Sequence, residues 1–120
     1  MNTPEMTDRE LLELAAKAAG MTDAYWSPLD DGICVPAGEY EGEPTHTFWN
    51  PLTDDGDALR LAVKLRMNIV VTTHGPSARC EAAPSKWADE NCAAGSDYEA
   101  AARRAIVRAA AAIAKDHPHD

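Results

Sequence analysis

This 120-residue chain has little cysteine, no long apolar run and no recognisable secretion signal. Its three cysteines, Cys34, Cys80 and Cys92, include no CxxC pair. An odd number of cysteines without a signal peptide indicates reduced thiols rather than a disulfide framework. The longest apolar run, near residues 109–114, is far shorter than the roughly 20 residues that span a bilayer. Because the N-terminus lacks a basic start followed by an apolar run, we expect a protein of the cytoplasm with no membrane partner.

Motifs for phosphate binding, nucleophilic catalysis and metal binding are also missing. The glycines form neither a GxGxxG nor a Walker pattern, and no nucleophile lies in a recognisable elbow beside a base. A metal site needs three or four ligands at defined spacing, whereas the candidate side chains are scattered. His74 and Cys80 make the best pair, because they could meet across a short hairpin. We therefore expect a protein that is not an enzyme, with no catalytic residue, no bound metal and no cofactor.

Basic residues are few, and the acidic ones are unevenly placed. The formal net charge is −9; residues 1–60 hold 13 acidic and 3 basic side chains, whereas residues 61–120 hold 7 and 8. Direct nucleic-acid binding is not expected, because affinity for phosphates requires concentrated Lys and Arg. A solvated acidic half ordinarily serves solubility. The sharper hypothesis is a surface that docks on a partner protein with a basic surface.

The stretch from Trp49 to Arg66 is the most regular part of the chain. Thr53 or Asp54 could cap a helix here. The aspartates in its first turn suit the helix dipole, and this role explains them better than acid–base catalysis does. Apolar residues recur at helical spacing and predict a buried stripe. The stripe consists of Ala58, Leu61, Ala62 and Leu65, widened by Leu59 and Val63. A strand at residues 69–73 follows it.

Two capping boxes predict two further helices. Thr7 to Glu10 opens a helix that runs to about Ala19, and Ser96 to Glu99 opens a last helix that runs to about Lys115. Arg103, Arg104 and Arg108 are predicted on the outer side of that last helix. Residues 25–26, 33–35 and 45–49 are expected to form short strands or an irregular covering layer, with Pro28, Pro36 and Pro44 preventing longer strands. Residues 78–82 are expected to return as an antiparallel strand, and residues 83–95 to form a loop. We predict one α/β (α+β) domain over residues 1–120, in which three helices pack on a small, mainly antiparallel sheet in a layered sandwich. Residues 1–6 and 116–120 are expected to be flexible ends.

Three pieces of the chain resemble a family of small tailed-phage and prophage proteins known as the phage ABA sandwich domain. They are DRELLELAAKAAG at residues 8–20, WNPLTDDGDALRLAVKLRMNI at residues 49–69 and AARRAIVRAAAAIA at residues 101–114. The resemblance implies an α/β layered fold and a phage or prophage origin. It carries over no catalytic residue, since the family has no established activity.

Function is therefore expected to reside in binding. The first hypothesis is an acidic phage accessory protein that inhibits a host nucleic-acid or defence machine. Its predicted partner-binding residues are Trp26, Glu39, Tyr40, Glu41 and Glu43. The second is a small-ligand-binding or sequestering protein, with homo-oligomers included, that uses Trp26, Trp87, Arg103, Arg104 and Arg108. The third is a structural role in phage assembly. Tryptophan is placed in both sets because it is enriched at binding hot spots.

Overall fold

The structure, a computed structural model, describes residues 6–93 and 96–116. Its helices are α1 (Asp8–Ala18), α2 (Asp55–Lys64) and α3 (Tyr98–Asp116). Its strands are β1 (Tyr25–Ser27), β2 (Gly32–Tyr40), β3 (Glu43–Trp49), β4 (Met67–Thr72), β5 (Gly75–Cys80) and β6 (Ala88–Asp89). The predicted α/β class with three helices is confirmed. Of the ends predicted to be flexible, residues 1–5 and 117–120 lie outside the described residues.

The strands form two antiparallel sheets rather than the one that was predicted. The first sheet has the order β1-β2-β3 and the second the order β4-β5-β6. Helix α1 contacts the first sheet and packs along α3, which in turn covers the second sheet. The core therefore lies around the helices, and each sheet keeps one face away from it.

Helix α3 is buried on more sides than an amphipathic stripe would require. The side chains of Ala105, Val107, Ala110 and Ala111 are each 0% exposed, because α1 packs on one side of the helix and β5 on another. Alanine permits this close approach on both sides. The helix begins one residue later than predicted: Asp97, not Ser96, accepts the hydrogen bond from the Ala100 amide at 2.9 Å. The first helix is capped as predicted, by Thr7 and Glu10 in a complete capping box.

Helix α2 buries a narrower stripe than predicted. Asp54 is its N-cap and accepts a hydrogen bond from the Asp57 amide. Ala58, Leu61 and Ala62 are buried as expected, but Leu59 and Val63 are 62% and 68% exposed. Their assignment to the buried stripe is wrong, because α2 contacts α3 and β4 through one face only.

The second sheet separates the pair that seemed best placed for a metal. Strands β4 and β5 form the predicted hairpin, but its turn lies at residues 73–74 and β6 occupies part of the expected loop. Cys80 pairs with Met67 at the far end of the hairpin, whereas His74 lies in the turn. The distance along five residues of strand is about 17 Å. His74 and Cys80 therefore do not form a site.

Two prolines expected to interrupt the first sheet lie inside its strands. Pro36 belongs to β2 next to a register shift between Pro36 and Gly38, and Pro44 lies in the edge strand β3. Bulges and edge strands are the places where a sheet tolerates proline, because the missing N–H is not needed there. As a result β2 is nine residues long rather than three.

Candidate functional site

The β2–β3 hairpin projects from the first sheet as an arm. Strand β1 pairs only with Gly32–Cys34, so β2 and β3 continue beyond it as a two-stranded ribbon. All residues from 36 to 44 are exposed. The arm ends in a two-residue turn in which Glu41 and Gly42 both have positive φ, 53° and 81°. That conformation matches the twist of a hairpin.

The tip of the arm is acidic and carries one aromatic ring. Glu39, Glu41 and Glu43 are exposed, and Tyr40 is 71% exposed. Within the described part of the chain, no Lys or Arg forms an ion pair with these three glutamates. The register brings Tyr40 opposite Glu43. The tip therefore presents three unneutralised carboxylates around an apolar ring.

At the base of the arm, three metal-ligating side chains converge. Asp30 comes from the turn between β1 and β2, Cys34 from β2 and His46 from β3. One ligand atom from each lies within 4.8 Å of the other two. The Cys34 thiol is 4.0 Å from the Asp30 Oδ2, and the Ser27 hydroxyl donates a 2.8 Å hydrogen bond to the same carboxylate oxygen. Cys34 is 0% exposed, whereas Asp30 and His46 face solvent.

Aromatic rings flank this cluster on the outer face of the sheet. The Phe48 ring meets the His46 imidazole edge-on, with the ring centroids 6.0 Å apart. Tyr25 pairs with Cys34 across β1 and β2. The pKa of the Tyr25 phenol is raised, first by desolvation and then by its interactions with Cys34 and Asp30. The phenol therefore keeps its proton at neutral pH.

Sequence reasoning missed the convergence of Asp30, Cys34 and His46 because it treated the strands around residues 33–35 and 45–49 separately. The available signal was Glu41-Gly42, a pair suited to a two-residue hairpin turn. Folding the chain there pairs Tyr40 with Glu43, and the one-residue register shift between Pro36 and Gly38 then places Pro36 opposite His46, with Cys34 two residues further along the same face. Side chains two residues apart on a strand share a face, so the turn and the register shift together bring the cysteine and the histidine to one face. Without the shift His46 would pair with Ala37, and Cys34 would lie on the opposite face.

Trp26 lies away from the acidic tip, between two cavities. A cavity of about 360 Å³ lies between the end of α1 and β1, and a shallower one of about 740 Å³ lies at the start of α1; Trp26 lines both. The Arg9 guanidinium stands over the indole, 5.1 Å from the ring centroid. Trp26 pairs with Ile33, which precedes Tyr40 by seven residues along β2. Seven residues of strand correspond to a separation of about 23 Å between Trp26 and the tip of the arm. The structure therefore brings Glu39, Tyr40, Glu41 and Glu43 together but not Trp26.

The alternative ligand-binding residues are dispersed. Trp87 lies beside the second sheet, where the Arg79 guanidinium stacks 4.7 Å from the centroid of its ring. Trp26, by contrast, belongs to β1 of the first sheet. The three arginines of α3 are engaged with neighbouring elements instead of forming a free outer face. Arg103 binds Asp55 and the Leu52 carbonyl, Arg104 binds Asp8, and Arg108 binds Glu90 and the Asp89 carbonyl. Their placement on an outer side is wrong, since α3 is surrounded by the rest of the fold.

Comparisons with known proteins add no relative: no family model, curated protein or solved structure matches the chain. Among residues 6–93 and 96–116, no helix is long and apolar enough to cross a membrane. The candidate sites in the described part of the chain are the tip of the arm, its base and the cavities lined by Trp26.

Proposed function

We propose that the protein works by binding, with the acidic tip of the β2–β3 arm docking on a basic surface of a partner protein. The observation that carries the proposal is the projection of Glu39, Glu41 and Glu43 around Tyr40, where no Lys or Arg of residues 6–93 and 96–116 forms an ion pair with them. The resemblance to the phage ABA sandwich domain supports a phage or prophage accessory role. In that setting the partner would be a host nucleic-acid or defence protein whose basic surface the arm occludes.

The backbone at the tip supports a binding role for its charge. Glu41 has a φ of 53°, in the left-handed region where asparagine and glycine fit best. An L-residue with a longer side chain is less stable there, by about 1 kcal/mol. An Asn-Gly turn would fold the same hairpin with less strain. The glutamate at this position places a third carboxylate at the tip, at a cost in stability.

The proposal is tested by removing the charge of the tip without changing its shape. The triple variant Glu39→Gln, Glu41→Gln, Glu43→Gln is compared with wild type in affinity capture from a host lysate, followed by association kinetics with the captured protein. Electrostatic steering predicts that the triple variant associates at least about tenfold more slowly at low salt, and that the difference shrinks as salt rises. The melting temperature should hardly change, because the three side chains are exposed.

A matched control loses the same charge elsewhere. Asp23→Asn, Glu81→Gln, Glu99→Gln replaces three exposed acids outside the arm and should associate nearly as fast as wild type. If both triple variants lose binding equally, net charge rather than the arm attracts the partner. If the tip variant binds as fast as wild type, or if the partner contacts only residues 96–115, the proposal is wrong.

The turn offers a second variant that separates stability from binding. Glu41→Asn relieves the left-handed strain, and we expect it to raise the free energy of unfolding by about 0.5–1 kcal/mol in denaturant titrations. The same change removes one carboxylate and should slow association with the partner. A variant that is both less stable and unaltered in binding would contradict the role given to Glu41.

Binding of a small ligand at Trp26 is a second candidate function, favoured by the cavities on either side of the indole. Their volumes fall within the usual range of ligand sites. Mass spectrometry of the native protein captured from lysate would detect a co-purifying small molecule. Trp26→Ala should release it, whereas Trp87→Ala should not. Retention of the molecule by the Trp26 variant would exclude this site.

A further inference from the structure

We propose that Asp30, Cys34 and His46 bind one zinc ion at the base of the arm. The inference concerns a different surface from the acidic tip, so it does not depend on the proposed function. It rests on three donor atoms of different chemistry that converge from a turn and two strands.

The separation of the donor atoms suits a site that closes around an ion. In a tetrahedral zinc site, metal–ligand bonds of about 2.0–2.3 Å place neighbouring donor atoms about 3.3–3.6 Å apart. The three atoms here lie within 4.8 Å of one another, and the thiol and carboxylate are already 4.0 Å apart. Because Asp30 and His46 are exposed, rotation of their side chains can supply the remaining contraction of about 1 Å.

The donor set is one that zinc accepts. Thiolate, imidazole and carboxylate are all zinc ligands, and three protein ligands leave a fourth position for water or another group. The surroundings provide the orienting contacts that metal ligands ordinarily have. Ser27 donates a hydrogen bond to the Asp30 carboxylate, and Phe48 packs edge-on against the His46 ring.

The geometry fits coordination better than nucleophilic catalysis. In a cysteine–histidine–aspartate triad the carboxylate orients the imidazole and the thiol meets the substrate. Here the Asp30 carboxylate contacts the Cys34 thiol itself, and Cys34 is 0% exposed. A zinc ion could reach the thiol through the exposed carboxylate and imidazole. Bound there, it would tie the β1–β2 turn to both strands of the arm and stabilise that end of the sheet.

The test uses the full chain without an affinity tag, titrated with zinc in competition with a chromophoric chelator, and with cobalt as a spectroscopic substitute. We expect one equivalent of zinc and a thiolate-to-cobalt charge-transfer band in the near ultraviolet. Zinc should also raise the melting temperature. Cys34→Ser should abolish the band, and His46→Gln should weaken zinc binding at least about tenfold. Because His46 is exposed, its variant should fold even where the buried Cys34 variant does not.

Control variants separate this site from other ligands in the chain. Cys92→Ser should leave the cobalt band in place, and His117→Gln, His119→Gln should leave one zinc equivalent bound. Ser27→Ala should weaken zinc binding without abolishing the band, since it only orients the carboxylate. The proposal is overturned if wild type takes up no zinc, if binding survives His46→Gln unchanged, or if it disappears with the two C-terminal histidines.

Discussion

Two cysteines of the chain, Cys80 and Cys92, differ in their environment rather than in their local sequence. Cys80 is 1% exposed, and its thiol donates a hydrogen bond to the Ala109 carbonyl at 3.7 Å. Burial raises its pKa to about 11, because the thiolate would lose hydration without gaining a compensating partner. Cys92 is only partly buried. The odd number of cysteines without a signal peptide predicted reduced thiols, and both are free in the structure.

We predict that Cys80 resists alkylation in the folded protein. At pH 8 iodoacetamide should alkylate Cys92 in the folded protein much faster than it alkylates Cys80. In denaturant the two thiols should react at equal rates. Peptide mapping by mass spectrometry measures both rates in one sample, with Cys92 as the internal control. Equal rates in the native protein would show that the thiol of Cys80 is accessible.

The same pKa predicts how Cys80 affects stability at high pH. The pKa of the Cys80 thiol is raised in the folded protein. The free energy of unfolding that the buried neutral thiol contributes is therefore complete below the unfolded pKa near 9, and it is lost as the pH rises towards the folded pKa of about 11. Across that interval wild type should lose up to about 3 kcal/mol more stability than Cys80→Ala, which has no thiol to ionise. Denaturant titrations of both proteins at pH 8 and pH 10.5 measure the difference. Parallel losses would contradict the assignment.

At the scale of elements, α2 shows how far helical periodicity can be trusted. The spacing of apolar residues located the helix correctly, and the aspartates at its start serve the expected local duties. Asp54 is the N-cap, and Asp57 accepts a hydrogen bond from the Asn50 amide at 2.9 Å. The width of the buried stripe was overestimated, because the periodicity does not say how many neighbours cover the helix.

The distinction within α2 gives a matched pair of leucine variants. Leu61 is 2% exposed and Leu59 is 62% exposed. We expect Leu61→Ala to lower the free energy of unfolding by about 2–5 kcal/mol, through lost burial and a cavity, and Leu59→Ala to change it by about 0.5 kcal/mol or less. Chemical denaturation of both variants provides the comparison. Similar effects at the two positions would mean that α2 packs through a different face.

At the scale of the whole molecule, α3 connects the two sheets through the helical layer. It packs along α1, covers β5 and contacts α2. Its arginines add polar links to three neighbouring elements: Arg103 to α2, Arg104 to α1 and Arg108 to the segment around β6. The alanine-rich sequence is therefore required by neighbours on several sides, and the arginines stabilise the contacts between elements.

We predict that α3 does not tolerate larger side chains at its centre. Ala110 is 0% exposed, so Ala110→Leu must displace an element packed against α3 and should cost about 1–3 kcal/mol. Ala112 on the same helix is only partly buried, and Ala112→Leu should cost less. Thermal unfolding of the two variants measures the difference. A wild-type melting temperature for Ala110→Leu would show that the helix has free space on that side.

The sequence by itself determined the features that depend on a few neighbouring residues. The capping box at Thr7, the apolar spacing of α2 and the exposed acids of residues 39–43 were all predictable, because caps, periodicity and turn chemistry act within one or two turns of chain. Tertiary structure decided what depends on distant neighbours. It split the strands into two sheets, buried α3 on several sides and paired its arginines. It also brought Asp30, Cys34 and His46 together, because their meeting depends on the register of two strands and on the path of the turn beside them.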